Sequence, residues 1–240
     1  MNKGERIMLL VLSGLTVVTA YLVMDLRREV EELKKNIRPG GKAGAPAAPT
    51  NPATVDVSFS LEGQPSKGDP AANVAIVEFS DYECPFSQRH ATGVFTQIDQ
   101  EYVAKGKVRY IYRDYPLTFH KNAAKAAAAA RCAGEQGKFW QMHDILFKNP
   151  KNLTDLVGHA FSAGIDTAKF NACLESGKQD AVVQAEITAA GNAGIQSTPS
   201  FLLGYTDAAT QNFHGVRLIS GAEPYTLFQT TIDALFAERR

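Results

Sequence analysis

Cys84 is the residue whose position in the sequence points most directly to chemistry. It follows the apolar run at residues 73–79, which is typical of a central strand, and Cys84-Pro85 then starts a helix. Proline suits a first helical turn because its missing N–H is not needed there. The free N–H groups at a helix N-terminus stabilise a thiolate, so this placement predicts a nucleophile. The alternative is a buried, unreactive thiol that packs as a small hydrophobic residue.

The total of three cysteines is odd. Cys132 and Cys173 both lie in a helix-rich part of the sequence, far from Cys84. In an oxidising compartment two of the three could pair and leave one thiol free. The alternative for Cys132 and Cys173 is a pair of independent buried thiols.

Composition and charge exclude several other functions. The chain has 240 residues, 45% of them hydrophobic, and its 25 basic side chains balance 25 acidic ones. This rules out wholesale disorder and provides no electrostatic basis for wrapping nucleic acid. Neither a P-loop nor a Gly-x-Gly-x-x-Gly stretch is present. We therefore expect neither a nucleic acid partner nor a cofactor. We also expect no metal, because the spacing of the five histidines does not indicate a zinc site; these are His90, His120, His143, His159 and His214.

The N-terminal segment predicts a membrane anchor. Residues 7–24 contain no charged side chain, and a helix of that length reaches roughly 27 Å, close to the hydrocarbon thickness of a bilayer. We interpret it as an uncleaved signal-anchor, a single transmembrane helix; the alternatives are a cleaved signal peptide and a buried core helix. Basic residues lie on both sides, so the positive-inside rule does not orient it.

Three regions follow from the pattern of the chain. Residues 1–38 are interpreted as the anchor with a short helical stalk, residues 39–53 as a Pro/Gly/Ala linker, and residues 54–240 as one folded domain. In that domain strands are predicted at 54–61, 73–79, 107–112, 200–204 and 216–220. Helices are predicted from Pro85 to about 105, through 120–194 in several pieces, and from Pro224 to Glu238. The class is α/β.

Three motifs in this domain carry a family resemblance. Residues 77–90 (VEFSDYECPFSQRH), residues 114–147 and residues 194–204 (GIQSTPSFLLG) resemble the DsbA-like branch of the thioredoxin superfamily. The resemblance covers nearly all of residues 54–240. It implies a thioredoxin-like fold with a helical domain inserted between the central strands at about 117–197, here preceded by the N-terminal transmembrane helix.

The resemblance also implies roles for individual residues. Cys84 is matched to the attacking, redox-active cysteine, and Glu78 to an acidic residue beneath it that assists proton transfer. The alternative for Glu78 is an ordinary carboxylate at a strand end. Pro199 is matched to a cis-proline beside the active-site sulfur that helps to hold an extended peptide. The residues expected to contact substrate are Pro85, Phe86, Thr198 and Pro199.

Ser87 is where the sequence departs from the family pattern. Relatives usually carry Cys-x-x-Cys, in which the second thiol resolves the mixed disulfide formed by the first. The Ser87 hydroxyl cannot attack a disulfide, although it could hydrogen-bond to the Cys84 sulfur. We therefore expect mixed disulfides that an external thiol must release.

The same resemblance bears on Cys132 and Cys173. Several DsbA-like relatives have cysteines in similar places that can pair, and a disulfide here would add roughly 3–4 kcal/mol of stability. Pairing also fits a domain that faces the periplasm or the cell exterior from a bacterial inner membrane.

The function predicted from these residues is membrane-anchored, extracytoplasmic thiol–disulfide exchange. The expected partners are exported proteins with thiols or disulfides, and a membrane redox partner or small thiol. One alternative is a catalytically impaired peptide-binding or chaperone-like relative. Another is an engineered Cys-to-Ser trapping variant of a dithiol oxidase.

Overall fold

A computed structural model describes residues 23–25, 27–29 and 52–239. The chain divides into two compact units, residues 1–48 and 49–240. In the first unit, residues 23–25 and 27–29 are helical and exposed. The predicted anchor at 7–24 and the stalk and linker up to residue 53 lie almost entirely outside the described residues. Within the described ranges, no helix combines the length and apolar character needed to cross a membrane.

The second unit is built on a six-stranded mixed sheet with the order β1-β6-β5-β3-β4-β2. Its strands are β1 (Ala53–Ser60), β2 (Ser66–Lys67), β3 (Val74–Ser80), β4 (Val108–Asp114), β5 (Ser200–Asp207) and β6 (Asn212–Ser220). β3 runs parallel to β4, and the other neighbouring pairs are antiparallel. Every residue of β3 is buried, as its continuous apolar run predicts for a central strand.

Seven helices accompany this sheet in the described part of the second unit. α1 covers residues 85–103, with α-helical turns at Pro85–Arg89 and Phe95–Ile98 and π-helical turns at His90–Val94 and Asp99–Val103. The others are α2 (Ala123–Gly134), α3 (Phe139–Lys148), α4 (Leu156–Ser162), α5 (Thr167–Glu175), α6 (Lys178–Asn192) and α7 (Tyr225–Glu238). A single 3₁₀ turn, Pro150–Asn152, follows α3.

The helices cover both faces of the sheet. On one face Phe95 of α1 and Phe228 of α7 pack with Ile76 and Phe201. On the other, Ala190 of α6 packs with Phe79 and neighbouring strand residues. α2 to α6 lie between β4 and β5 in the chain and form a helical insertion with its own apolar core. The small, buried alanines of α2 let its neighbours approach closely.

The structure refines several predicted elements. The order of long strands and helices is as predicted, but β5 and β6 are longer than expected and form a hairpin. β2 was not predicted because two residues carry no periodicity. Within the helical stretch predicted at 120–194, α4 begins at Leu156, since the Asp155 side chain caps it by accepting a hydrogen bond from Gly158 N at 3.1 Å.

Buried charges join the insertion to the sheet. Arg113 of β4 donates to both oxygens of Glu186 on α6, at 2.5 Å from Nε and 3.0 Å from Nη2. Arg131 of α2 donates through Nε to Asp114 of β4. Burial raises the pKa of Asp114, and the Arg131 charge opposes that rise. Each carboxylate is thus matched by a guanidinium, which limits the cost of desolvating the four charges.

We expect Glu186→Ala to destabilise the domain by about 3–5 kcal/mol, because Arg113 would remain buried without its counterion. Urea unfolding followed by circular dichroism measures the loss. The matched control is Glu175→Ala, which removes an exposed carboxylate of α5 and should change stability by less than about 0.5 kcal/mol. Equal unfolding midpoints for the two variants would contradict the proposed importance of the buried pair.

Candidate active site

Cys84 lies at the N-terminus of α1. It is the N-cap residue in an extended conformation, with φ −77° and ψ 121°, and Pro85 occupies the first helical turn. Its backbone N–H donates to Asp81 O at 3.1 Å, and its carbonyl accepts from Gln88 N at 3.0 Å. The residue is only 4% exposed, so attack on a disulfide requires that the substrate sulfur approach within a confined space.

The loop before β5 brings Thr198 and Pro199 to Cys84. The Cys84 Sγ lies 3.3 Å from the Thr198 carbonyl oxygen, to which the thiol donates a hydrogen bond. The Thr198-Pro199 peptide bond is cis. Antiparallel pairing of β3 with β5, which places Glu78 opposite Phe201, produces this meeting of distant segments. The structure thus brings together the predicted nucleophile and the predicted cis-proline.

Ser87, where the family resemblance leads us to expect a second cysteine, lies one turn into α1. It is fully buried, and its hydroxyl oxygen accepts a long hydrogen bond from Asp81 N at 3.5 Å. The partner is therefore backbone of the preceding turn, whereas the sequence had allowed a bond to the Cys84 sulfur. Since the other two cysteines are joined to each other, Cys84 has no thiol partner within the chain.

Phe86 and Phe119 are exposed aromatic side chains on the segments after Cys84 and after β4. Phe86 is 54% exposed beside Cys84, and the Arg89 guanidinium lies 5.4 Å from its ring centre. Phe119, which is 72% exposed, follows β4, and its ring meets that of His120 at 4.5 Å. Pro85 is also exposed, whereas Thr198 and Pro199 are buried. Phe119 was not predicted, because an isolated aromatic residue in a loop carries no sequence signal.

Asp81 holds the loop that carries Phe119. Its Oδ2 accepts from Leu117 N at 2.8 Å and lies 2.8 Å from His120 Nδ1, while its Oδ1 accepts from Glu83 N at 2.7 Å. Glu83 in turn accepts from Asn122 N at 2.7 Å. The turn before Cys84 is therefore fastened to residues 115–122. These contacts were not predicted, because their only signal in the sequence is an aspartate in a turn.

Glu78 is buried at the end of β3, with 1% exposure. Burial raises its pKa to about 7, although a hydrogen bond from the Tyr110 hydroxyl at 2.7 Å favours the ionised form. A carboxyl with such a pKa can both accept and release a proton near neutrality. Its predicted role in proton transfer is therefore chemically feasible, although no contact with Cys84 accompanies it in the structure.

A family model described as thioredoxin matches residues 60–217, which include Cys84 and Pro199. The chain belongs to the thioredoxin family.

Solved structures define the variant of the thioredoxin fold. Alpha-DsbA1 of Wolbachia pipientis is 23% identical, with a TM-score of 0.64 over 75% of this chain and 94% of that one. A thioredoxin-like oxidoreductase of Silicibacter pomeroyi DSS-3 is 28% identical, with a TM-score of 0.60 over 75% of this chain and 94% of that one. The DsbA-like resemblance is confirmed for the fold, which is the thioredoxin-like α/β fold with inserted helices.

Curated relatives of this thioredoxin-family chain are larger proteins. Na(+)/H(+) antiporter NhaA 3 of Salinispora tropica is 33% identical over 140 residues, which make up 57% of this chain and 21% of that protein. The chain thus spans about a fifth of the length of the curated relatives it matches.

The remaining predicted residues, Cys132 and Cys173, form a disulfide between α2 and α5 with a Cα–Cα distance of 5.8 Å. Cross-linking this 41-residue separation stabilises the insertion by roughly 3–4 kcal/mol in the chain-entropy model. Across the described part of the chain, no cluster of three or more His, Cys, Asp or Glu side chains is placed to hold a metal ion.

The raised pKa of Glu78 predicts a specific dependence of stability on pH. The folded state binds this proton more tightly than the unfolded chain, whose ordinary value is 4.5. The resulting contribution is fully present below pH 4.5 and is lost as pH rises through about 7. By linkage the loss amounts to about 3 kcal/mol.

We therefore expect Glu78→Gln, which cannot ionise, to lose less stability than the unmodified chain when pH rises across this range. Urea unfolding at both ends of the range measures the difference. Parallel pH curves for the two proteins would show that Glu78 does not titrate as the structure implies.

Proposed function

We propose that the chain catalyses thiol–disulfide exchange through a single cysteine, Cys84. The observation that carries the proposal is the position of the Cys84 sulfur at a helix N-terminus, 3.3 Å from the carbonyl oxygen of Thr198 and beside cis-Pro199. An extended peptide aligned along this loop would present its sulfur to the nucleophile. Membership of the thioredoxin family and the DsbA-like fold support the same reaction class.

The first step forms a mixed disulfide. The Cys84 thiolate attacks one sulfur of a substrate disulfide, a bond forms between Cys84 and that sulfur, and the other substrate sulfur leaves as a thiolate. The N–H groups at the start of α1 favour the attacking thiolate electrostatically. The leaving sulfur takes a proton from the site or from solvent as it departs.

The second step, which resolves the mixed disulfide, needs a thiol other than that of Cys84. Ser87 cannot supply it, so either another thiolate of the substrate or a small thiol attacks the mixed disulfide and releases Cys84 as a thiolate. Attack by the substrate's own thiol rearranges its disulfides without net oxidation. Attack by a small thiol on the substrate sulfur releases Cys84 and leaves a disulfide between the substrate and the small thiol. A monothiol site therefore suits isomerisation or reduction and cannot by itself store an internal disulfide.

We further propose that this reaction acts on exported proteins, with the domain held at a bacterial inner membrane and facing the periplasm or cell exterior. The apolar residues 7–24 would provide the single-pass anchor. The disulfide between Cys132 and Cys173 favours an oxidising compartment, where such bonds persist. A membrane redox partner or a small thiol would complete the cycle.

A peptide-binding protein without turnover is the second candidate. Two observations favour it: the thiol of Cys84 is nearly buried, and apolar rings are exposed at Phe86 and, in the loop bonded to Asp81, at Phe119. Such a protein would hold unfolded chains by contact with these rings. The two candidates differ in whether binding leads to a covalent adduct at Cys84.

We expect a scrambled-disulfide substrate to refold with Cys84→Ala no faster than in glutathione buffer alone, because the chain has no other free thiol to form the mixed disulfide. Recovery of substrate activity measures the rate. Ser58→Ala, which removes an exposed hydroxyl on β1, is the matched control and should retain the full rate. If Cys84→Ala refolds the substrate as fast as the control, the binding-protein candidate is favoured.

We expect Ser87→Cys to create a second active-site thiol that forms an internal disulfide with Cys84 on oxidation. The side chains at the two positions share the first turn of α1, as the dithiol reaction requires. Intact mass with and without reductant, together with thiol titration, measures the new bond. Two alkylatable thiols remaining after oxidation would indicate a site unable to perform dithiol exchange.

A further inference from the structure

Three buried titratable side chains beneath the active site are joined in series. The Tyr110 hydroxyl of β4 lies 2.7 Å from Glu78 Oε2 of β3 and 3.0 Å from His90 Nε2 of α1. All three side chains are inaccessible to solvent. The chain of contacts therefore links the strand-end carboxyl to a histidine on the helix that Cys84 begins.

Both ends of this series carry an unused polar atom. Glu78 Oε1 and His90 Nδ1 are buried without a hydrogen-bond partner among the described residues. The His90 ring packs against Phe201 and Phe228, with centroid distances of 4.3 and 5.3 Å. Burial in these surroundings lowers the pKa of His90 to about 3, so its imidazole is neutral near pH 7. A neutral imidazole has one N–H, and its location depends on the neighbouring hydrogen bond.

Two hydrogen-bond arrangements of the series run in opposite directions. With Glu78 ionised, Tyr110 O–H donates to the carboxylate, and His90 Nε2–H donates to the Tyr110 oxygen. With Glu78 protonated, its O–H donates to the Tyr110 oxygen, Tyr110 O–H donates to His90 Nε2, and the imidazole proton is on Nδ1. The two arrangements differ by one proton in total and by the tautomer of His90.

We propose that Glu78, Tyr110 and His90 form a proton relay in which ionisation of Glu78 reverses both hydrogen bonds and changes the tautomer of His90. When Glu78 loses its proton, that proton passes to the Tyr110 oxygen, and the former Tyr110 proton passes to His90 Nε2. The proton on His90 Nδ1 then leaves to solvent, which reaches this buried atom when the domain opens locally. The reverse sequence reloads the carboxyl. Tyr110 and His90 are positioning residues here, and their use in exchange at Cys84 rests on the proposed function.

Other polar groups surround the relay and have to be considered in any titration. Burial raises the pKa of Tyr112 and of Tyr82 well above its usual range, so both stay neutral. The Ser80 hydroxyl, which neighbours Glu78 on β3, is buried without a hydrogen-bond partner among the described residues. From β5 and α7, the rings of Phe201 and Phe228 pack against His90. Asp114 of β4 and Arg131 of α2 act electrostatically on Tyr82, and His143 of α3 acts on His90.

Nitrogen-15 NMR of histidine-labelled full-length Cys84→Ala protein tests the relay without any thiol chemistry. We expect the His90 proton to be on Nδ1 well below pH 7 and on Nε2 well above it, with a midpoint where Glu78 titrates. Tyr110→Phe should abolish this change because the middle hydroxyl is gone. Glu78→Gln, which retains a hydrogen-bonding side chain, should also abolish the change of tautomer. This variant replaces Tyr110→Phe in the test if Tyr110→Phe does not fold.

His214→Gln is the matched control, since it removes an exposed histidine on β6 that pairs with Asp56 and should leave the His90 signals unchanged. A single His90 tautomer at all pH values, or a change that persists in Tyr110→Phe or Glu78→Gln, would overturn the relay.

In protein that retains Cys84, Tyr110→Phe should move the pH midpoint of the exchange rate upward, because the Tyr110 hydrogen bond lowers the pKa of Glu78. An unchanged midpoint would contradict the use of the relay in exchange. If Cys84 shows no exchange activity while the His90 tautomer still switches, the proposed function fails and the relay stands.

Discussion

The antiparallel pairing of β3 with β5 is the interaction on which the site depends. Cys84 follows β3 and Pro199 precedes β5. Because the two strands are antiparallel, with Glu78 opposite Phe201, the two loops lie at the same end of the strands. The hydrogen bond from the Cys84 sulfur to the Thr198 carbonyl follows from that register. A register shift of one residue would turn the inward-facing side chains to the other face of the sheet. The fully buried apolar residues of β3 make such a shift costly.

The helical insertion enters between β4 and β5, so it must be held without disturbing that pairing. The buried pairs of Arg113 with Glu186 and of Arg131 with Asp114 join it to the side of β4. Asp81 makes a corresponding connection at the site, where it fastens the loop of Phe119 to the turn before Cys84. The surroundings of the nucleophile thus come from segments far apart in sequence, and charged groups fix their relative positions.

The same architecture accounts for the unusual environment of Glu78. A carboxyl at the end of a central strand is covered by α1 on the face it shares with Tyr110, and no cationic side chain hydrogen-bonds to it in the described structure. Burial without a counterion raises its pKa, and the hydrogen bond from the Tyr110 hydroxyl opposes that rise.

Much of this protein could be predicted from sequence because the signals were local. The apolar run before Cys84 predicted a central strand, and Pro85 predicted the start of α1. The absence of a second active-site thiol at Ser87 is likewise a property of the sequence alone, and it limits the chemistry whatever the fold. The family resemblance, carried by motifs around Cys84 and Pro199, supplied the fold and the cis-proline.

Only the tertiary structure decided which polar side chains meet. Tyr110 and His90 lie on different elements, and neither has a spacing relative to Glu78 that periodicity could reveal. The hydrogen-bond partner of Ser87 and the contacts of Asp81 were likewise decided by the fold. The physical reason is that a hydrogen bond depends on distances of about 3 Å, which arise from strand register and helix packing, whereas sequence patterns specify only which face of an element is buried.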